Sequence, residues 1–154
     1  MNPMKKALSK RGGGGGVQRF TVSTQHRQQM VDITSQIQAA TRKADISNGL
    51  VVVFVPHTTA GVCIQENADP DVRHDVLRKL AELIPHREGY YQHAEGNSDS
   101  HLMTMMVGSS ETLLLDRGDL VLGRWQGVYL CEFDGPRERT VCVSILSDDA
   151  PQRD

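Results

Sequence analysis

The sequence has few cysteines, and their spacing does not mark a disulfide framework or a zinc site. Cys63, Cys131 and Cys142 are an odd number, lie far apart and fall within apolar, strand-like runs. Small disulfide-rich domains and CxxC zinc sites use even sets or closely spaced pairs of cysteines. We therefore expect all three to be reduced thiols in the core.

Long hydrophobic runs are also absent. The longest, Leu50 to Val55, is far shorter than the roughly 20 apolar residues that a membrane helix needs. The basic first residues precede no apolar run of the kind that forms the core of a signal peptide. The sequence therefore favours a cytoplasmic protein with no membrane partner.

Positive charge is not in excess. Lysine and arginine together number 17, aspartate and glutamate number 19, and the formal net charge is −2 at pH 7. Residues 1–16 hold four of the basic residues and none of the acidic ones, so the rest of the chain is clearly acidic. Because an acidic domain does not attract nucleic acid or an anionic membrane, we predict that it binds neither.

The chain has the length of one ordinary globular domain. Residues 1–16 are basic and end in five consecutive glycines, which is typical of a disordered leader. We assign the folded domain to residues 17–147 and a flexible tail to residues 148–154.

The hydrophobic pattern changes between the two-residue repeat of strands and the longer repeat of helices. It predicts helices over 32–44, from Asp69 to Pro85 and over 102–107. It predicts strands over 17–23, 50–55, 61–66, 111–115, 120–122, 127–133 and 140–146. Because strands and helices do not alternate regularly, we predict an α+β fold, a single domain with a mixed, mostly antiparallel β-sheet packed with two or three helices.

Three of these elements carry more specific predictions. The uniformly apolar strand over 50–55 is typical of a central strand that is buried on both faces. Asp69 followed by Pro70 indicates a capped helix start. The strands over 127–133 and 140–146 are predicted to pair as a hairpin across the turn between them.

One loop, with the sequence HAEGNSDSH, concentrates groups that can bind a metal or move a proton. Such a glycine-broken loop can bring His93 and His101 to face one point, and two neutral imidazoles form part of a divalent-metal site. Glu95 can accept a proton there, and Asn97 can orient a substrate or water. The alternative is that these side chains only solvate a surface loop, with Asp99 capping the following helix.

A second group of polar residues follows the strand over 50–55. His57 is the best candidate for a third metal ligand, and the hydroxyl groups of Thr58 and Thr59 can hold phosphate oxygens. Glu66 and Asn67 end the next strand and can meet the same space, whereas the alternative for Asn67 is a turn residue.

The remaining arginines and histidines are less informative. Arg137 and Arg139 can bind a phosphate if they point into a cleft, and otherwise they are solvated charged residues of the predicted hairpin. His26 and His74 have no motif around them, and His86 becomes a candidate only if the fold brings it to the site.

Several motifs together resemble the YjbQ family, which is named for secondary thiamine-phosphate synthase activity. They are PHTTAGVCIQENADPDV, HAEGNSDSH and LGRWQGVYLCEFDGPRER, and the resemblance covers about residues 17–147. It implies an α+β domain that assembles as a homotrimer, with a histidine-containing pocket for a divalent metal such as zinc or magnesium. It also implies weak joining of a hydroxymethylpyrimidine diphosphate to a thiazole phosphate, with release of pyrophosphate.

The resemblance places the family's site on specific residues of this chain. We expect metal ligation by His57, His93 and His101, catalytic roles for His57, Glu95 and Asn97, and substrate binding by Thr58, Thr59, Glu66, Asn67 and Arg137. The chain departs from the family at Met103, where lysine is frequent, and at Cys63 and Arg124. The loss of the lysine removes one expected phosphate contact.

Two other functions use the same residues. The first is a metal-dependent hydrolase of a small phosphorylated or amide metabolite, with Glu95 as the base. The second is a trimeric protein without catalytic activity whose pocket binds a metabolite or a metal.

Overall fold

A computed structural model of the protein describes residues 16–148, so the predicted leader and tail lie almost entirely outside the described residues. Its helices are α1 (Thr34–Ala44), α2 (Pro70–Leu83) and α3 (Ser98–Val107). Its strands are β1 (Gln18–Ser23), β2 (Gln29–Asp32), β3 (Gly49–Phe54), β4 (Ala60–Glu66), β5 (Ser110–Asp116), β6 (Asp119–Leu120), β7 (Gln126–Glu132) and β8 (Glu138–Ser147).

The strands form two sheets in which every pairing is antiparallel. The larger sheet has the order β1-β8-β3-β5-β6, and the smaller sheet has the order β2-β7-β4. The predicted α+β fold with mostly antiparallel strands is confirmed. No helix within residues 16–148 combines the length and the apolar character needed to span a membrane.

The smaller sheet is covered on both faces. On one face, Val128 and Leu130 of β7 join a core with Val51 of the larger sheet and Ile37 of α1. On the other face, Tyr129 and Cys131 pack in a second core, to which α2 and α3 contribute. Because side chains alternate along a strand, β7 supplies both cores at once.

The predicted hairpin between the last two strands is wrong. β7 pairs with β2 and β4, whereas β8 pairs with β1 and β3 in the other sheet. The turn after β7 therefore carries the chain from one sheet to the other. Alternating hydrophobicity shows which face of a strand is buried, but it does not identify the neighbouring strand.

The prediction that β3 is buried on both faces is also wrong. Val51 and Val53 are fully buried, but Leu50 and Phe54, on the opposite face, are 40% and 44% exposed. The strand that is buried on both faces is β7 instead. An apolar run of this kind has two explanations, a strand buried on both faces or a strand with one apolar surface face.

The predicted start of α2 is confirmed, and the predicted start of α3 is corrected. Asp69 caps α2, and its Oδ1 accepts a hydrogen bond of 2.9 Å from the N–H of Asp71, as predicted. α3 begins at Ser98, four residues before the predicted start, because its polar first turn is buried by tertiary hydrogen bonds rather than by apolar packing. The Ser100 hydroxyl donates to the Phe133 carbonyl oxygen at 2.6 Å.

Candidate functional site

His93 and His101 lie next to each other. His93 belongs to the loop before α3 and His101 to the first turns of that helix, and their ring centroids are 5.2 Å apart with planes at 75°. Both line an open cavity of about 610 Å³, together with Tyr90 and Tyr91. This histidine pair is therefore the part of the expected metal site that the fold brings together.

A second, more polar cavity adjoins the histidine pair. This loop pocket, of about 560 Å³, is lined by His93, Glu95 and Asn97 and also by Arg27 and His86. A carboxylate oxygen of Glu95 lies 3.7 Å from Nε2 of His93. Three of the predicted site residues thus share one pocket, within reach of the same small ligand.

Asn97 is held at the wall of the loop pocket. Its Nδ2 donates to the Asp134 carboxylate at 2.8 Å, and Arg137 donates to the same carboxylate oxygen at 3.0 Å. The Oδ1 of Asn97 is the one buried side-chain oxygen or nitrogen in residues 16–148 that lacks a hydrogen-bond partner. Arg137, predicted to bind substrate, is anchored at the turn after β7 with half of its side chain exposed.

Asp99 is fully buried behind the loop pocket and ionised. It accepts hydrogen bonds of 2.8 and 3.0 Å from the two terminal nitrogens of Arg27, and its Oδ2 lies 3.2 Å from Nδ1 of His86. Burial raises the pKa of Asp99, but the hydrogen bonds from Arg27 and His86 outweigh burial and hold that pKa below its ordinary value. Asp99 therefore does not cap α3, which was the alternative interpretation of the sequence. It links α3 to Arg27, which precedes β2, and to His86 in the loop before the helix.

His57 belongs to a different pocket. It lines a cavity of about 560 Å³ with Thr58, Thr59, Ser109 and Arg139, which we call the strand-end pocket. Nε2 of His57 accepts a hydrogen bond of 2.9 Å from the backbone N–H of Thr140. Burial, followed by the positive charge of Arg139, lowers the pKa of His57, so the neutral ring carries its proton on Nδ1.

Arg139 is buried and is not a solvated hairpin charge. Its guanidinium forms a buried ion pair with Glu132 and donates to the Thr59 hydroxyl at 2.8 Å. Burial raises the pKa of Glu132, but its hydrogen bonds with Arg139, Thr24 and a backbone N–H keep that pKa below its ordinary value. The pair therefore holds Arg139 in place where it lines the strand-end pocket.

Glu66 and Asn67 lie at the opposite end of β4 from Thr59. The strand is seven residues long, so its two ends lie about 20 Å apart along it. The backbone N–H of Asn67 donates to the Trp125 carbonyl oxygen at 2.8 Å. Within one chain, these two residues therefore do not meet the strand-end pocket.

The described part of the chain does not by itself complete the expected metal site. No three His, Cys, Asp or Glu side chains within residues 16–148 converge in a way that could hold a metal ion. The histidine pair supplies two suitable nitrogen ligands, and His57 lies in the other pocket with its Nε2 engaged. Within the described residues a third ligand requires a side-chain movement, and the Glu95 carboxylate, 3.7 Å from Nε2 of His93, is in a position to make it.

Comparison with known proteins places this chain among relatives that share its whole folded region. A family model described as UPF0047 protein YjbQ-like matches residues 18–148. UPF0047 protein MJ1081 of Methanocaldococcus jannaschii is 44% identical over 84% of this chain and 94% of its own length. YugU of Bacillus subtilis is 42% identical over 81% of this chain and 95% of its own.

Solved structures agree with these sequence relatives. A YjbQ/UPF0047-family protein from Clostridium acetobutylicum superposes with a TM-score of 0.81 at 45% identity, covering 83% of this chain and 98% of its own. A YbjQ-like protein of unknown function from Sulfolobus solfataricus also has a TM-score of 0.81, at 32% identity, covering 86% of this chain and 96% of its own.

Proposed function

Since the chain belongs to the UPF0047 protein YjbQ-like family, we propose that it joins a hydroxymethylpyrimidine diphosphate to a thiazole phosphate and releases pyrophosphate. The observation that carries the proposal is the histidine pair, His93 and His101, beside a pocket that also holds Glu95 and Asn97. The choice of reaction rests on the resemblance of three sequence motifs to that family.

The nitrogen ligands of the histidine pair suit zinc, whereas magnesium would be bound mainly through oxygens such as those of Glu95. Neutral imidazoles are preferred zinc ligands, and Glu95 is close enough to His93 to reach the same ion after a small side-chain movement. When bound, such an ion neutralises negative charge on a departing pyrophosphate. His57 could bind a metal through Nε2 only after losing its hydrogen bond from Thr140.

We further propose that the protein assembles as a homotrimer through the outer face of its larger sheet. Leu50 lies between Leu146 and Leu114 on neighbouring strands, and these three leucines are 40 to 58% exposed. A contiguous exposed apolar row on a folded domain is typical of an interaction surface. Phe54, on the same face, borders the strand-end pocket, so a neighbouring copy on this face would lie beside His57.

Assembly is tested by replacing a residue of the row. Leu50→Glu should lower the mass measured by analytical ultracentrifugation from three copies to one, because the charge would be buried in the interface. Leu83→Glu is the matched control, since Leu83 is also exposed but lies on α2, outside the row. A wild-type protein that sediments as one copy would contradict the trimer.

The reaction is tested by following thiamine-phosphate formation with zinc or magnesium present. The His93→Ala and His57→Ala variants should each lose about 100-fold in rate, because removing one group that stabilises transition-state charge, directly or through a bound ion, commonly costs about that much. His74→Ala is the control, because His74 is an exposed residue of α2. Equal rates in all four proteins would rule out the proposed site.

The position of Glu95 also supports a second candidate, the metal-dependent hydrolase. Its carboxylate lies 3.7 Å from His93 and is largely exposed, so it can reach a water molecule at an ion bound by that histidine. Release of phosphate from a panel of small phosphorylated metabolites, without a coupled product, would favour hydrolysis over transfer. Glu95→Gln should then abolish release while metal binding persists.

A further inference from the structure

His86 is held at the edge of the loop pocket by a buried carboxylate. Its Nδ1 lies 3.2 Å from Oδ2 of Asp99, whose side chain is completely buried, while nearly half of the His86 side chain is exposed. Apart from its position after Pro85, the sequence gives no reason to single out this histidine. The fold places it in the same pocket as Glu95 and Asn97.

The carboxylate that holds His86 is itself fixed. Arg27 contacts both oxygens of Asp99, which keeps the carboxylate in one orientation. The next residue, Ser100, ties the first turn of α3 to the end of β7 through the Phe133 carbonyl oxygen. The imidazole of His86 is therefore held by a carboxylate that Arg27 and the first turn of α3 keep in place.

The loop segment that carries His86 is anchored as well. The Tyr91 hydroxyl donates to the carbonyl oxygen of Pro85 at 3.1 Å, directly before His86. Both the backbone and one ring nitrogen of His86 are thus held in place. The ring has little freedom to turn its second nitrogen away.

A carboxylate at Nδ1 determines what the other nitrogen can do. It keeps a proton on Nδ1 and orients the ring, so Nε2 is left to accept or donate a proton. Because Nε2 lies on the far side of the ring from Nδ1, it faces away from buried Asp99. Nearly half of the side chain is exposed and His86 lines the loop pocket, so Nε2 is the ring nitrogen that a ligand in this pocket can reach.

We propose that His86 is the proton-transfer residue of the loop pocket and that Asp99 is its positioning residue. This rests on the proposed transferase function. As the bond between the pyrimidine methylene carbon and the diphosphate oxygen breaks, its electron pair passes to that oxygen, which takes the proton from Nε2 of His86. The thiazole nitrogen supplies the electron pair of the new bond to the methylene carbon, and neutral His86 regains its proton from water.

His74 offers a matched control for this arrangement. It makes the same type of contact, Nδ1 to the Asp75 carboxylate at 3.1 Å, but both side chains are more than two-thirds exposed on α2. A histidine–carboxylate contact alone is therefore present at both positions. Of these two histidines, only His86 contacts a buried carboxylate and lines the loop pocket.

The kinetic test compares His86→Ala and His74→Ala in the full-length protein. His86→Ala should lower kcat about 100-fold, the lower end of what general acid catalysis contributes, with KM within about threefold of wild type. Added imidazole should restore part of the lost kcat, because it can enter the emptied pocket, whereas a purely structural role would not respond. A His86→Ala variant with wild-type kcat, or one that imidazole does not rescue while it remains folded by circular dichroism, overturns the proposal.

A second measurement does not depend on thiamine-phosphate formation. In ¹⁵N NMR spectra of histidine-labelled protein, His86 should show a proton on Nδ1 that is lost or shifted in Asp99→Asn. Added pyrophosphate should shift Nε2 of His86 and leave His74 unchanged. If the wild-type protein forms no thiamine phosphate but pyrophosphate still shifts Nε2, the transferase function fails and the proton transfer to its leaving group fails with it, while the placement of Nε2 at an anion-binding pocket stands. If pyrophosphate does not shift Nε2, that placement and the proposed role of His86 are both overturned.

Discussion

Replacing Glu132 by glutamine should destabilise the protein by about 3–5 kcal/mol, the range seen when one partner of a buried ion pair is removed. The Glu132 side chain has no solvent exposure, and that of Arg139 is 5% exposed. Glutamine has the same shape, so little is lost in packing. The loss arises because the buried guanidinium keeps its charge and no longer faces a carboxylate.

The hydrogen bonds around Glu132 explain why glutamine cannot substitute for it. The carboxylate accepts from Arg139, from the Thr24 hydroxyl at 2.9 Å and from the Asp134 N–H at 2.9 Å. The amide group of glutamine replaces one acceptor oxygen by a donor, and that donor must face another donor. A loss of about 3–5 kcal/mol is a large share of the roughly 5–15 kcal/mol that stabilises an ordinary domain.

Urea unfolding followed by circular dichroism measures this loss. Glu82→Gln on α2 is the control: its pairs with Arg78 and Lys79 are exposed, and it should cost less than about 1 kcal/mol. The double variant Glu132→Leu with Arg139→Met should recover much of the stability, since no unpaired charge remains. A loss below about 1 kcal/mol in Glu132→Gln would refute this account of the pair.

The same carboxylate gives the protein a defined pH dependence. The pKa of Glu132 is lower in the folded state than its ordinary value of about 4.3, so its contribution to the free energy of unfolding is complete above that value. The contribution is lost as the pH falls through the folded-state pKa. Acid unfolding curves of wild type and Glu132→Gln should therefore converge at low pH.

Three further predictions follow from local geometry. Iodoacetamide should modify Cys63 before Cys131, because the hydrogen bond between their sulfurs lowers the pKa of Cys63, while that bond and burial raise the pKa of Cys131; peptide mass spectrometry that finds the reverse order contradicts this. Gly61→Ala should cost about 1–3 kcal/mol in urea unfolding, because its Cβ would lie 2.4 Å from a backbone oxygen; Gly89→Ala, with open space around it, should be neutral. Asp69→Ala should cost about 1 kcal/mol, and an unchanged unfolding midpoint would show that the cap of α2 does not stabilise it.

The elements that could be predicted from the sequence are those with local causes. The Asp69-Pro70 start of α2 depends on one side chain and the next amides, and it was predicted correctly. β2, by contrast, is only four residues long and shows no clear alternation, so it was missed. The partners of β7 and β8 could not be predicted in this way, because β7 pairs with β2 and β4, and β8 pairs with β1 and β3, all of which lie far away in sequence.

The candidate site also has some residues that could be predicted from the sequence and others that could not. His93 and His101 were expected to meet, and they do, because a short glycine-containing loop and the start of α3 connect them. Arg27 could not be found in this way, since 72 residues separate it from Asp99 and no motif surrounds it. Its importance follows only from the buried carboxylate that it orients.

His57 illustrates how a correct position can leave the chemistry open. Its place after β3 was predicted, but the backbone N–H of Thr140, on β8, occupies the nitrogen that a metal would use. That bond exists because β8 pairs with β3 rather than with β7. Because Nε2 accepts this bond, the proton of the neutral His57 ring lies on Nδ1, which is the nitrogen left for a hydrogen bond to a ligand.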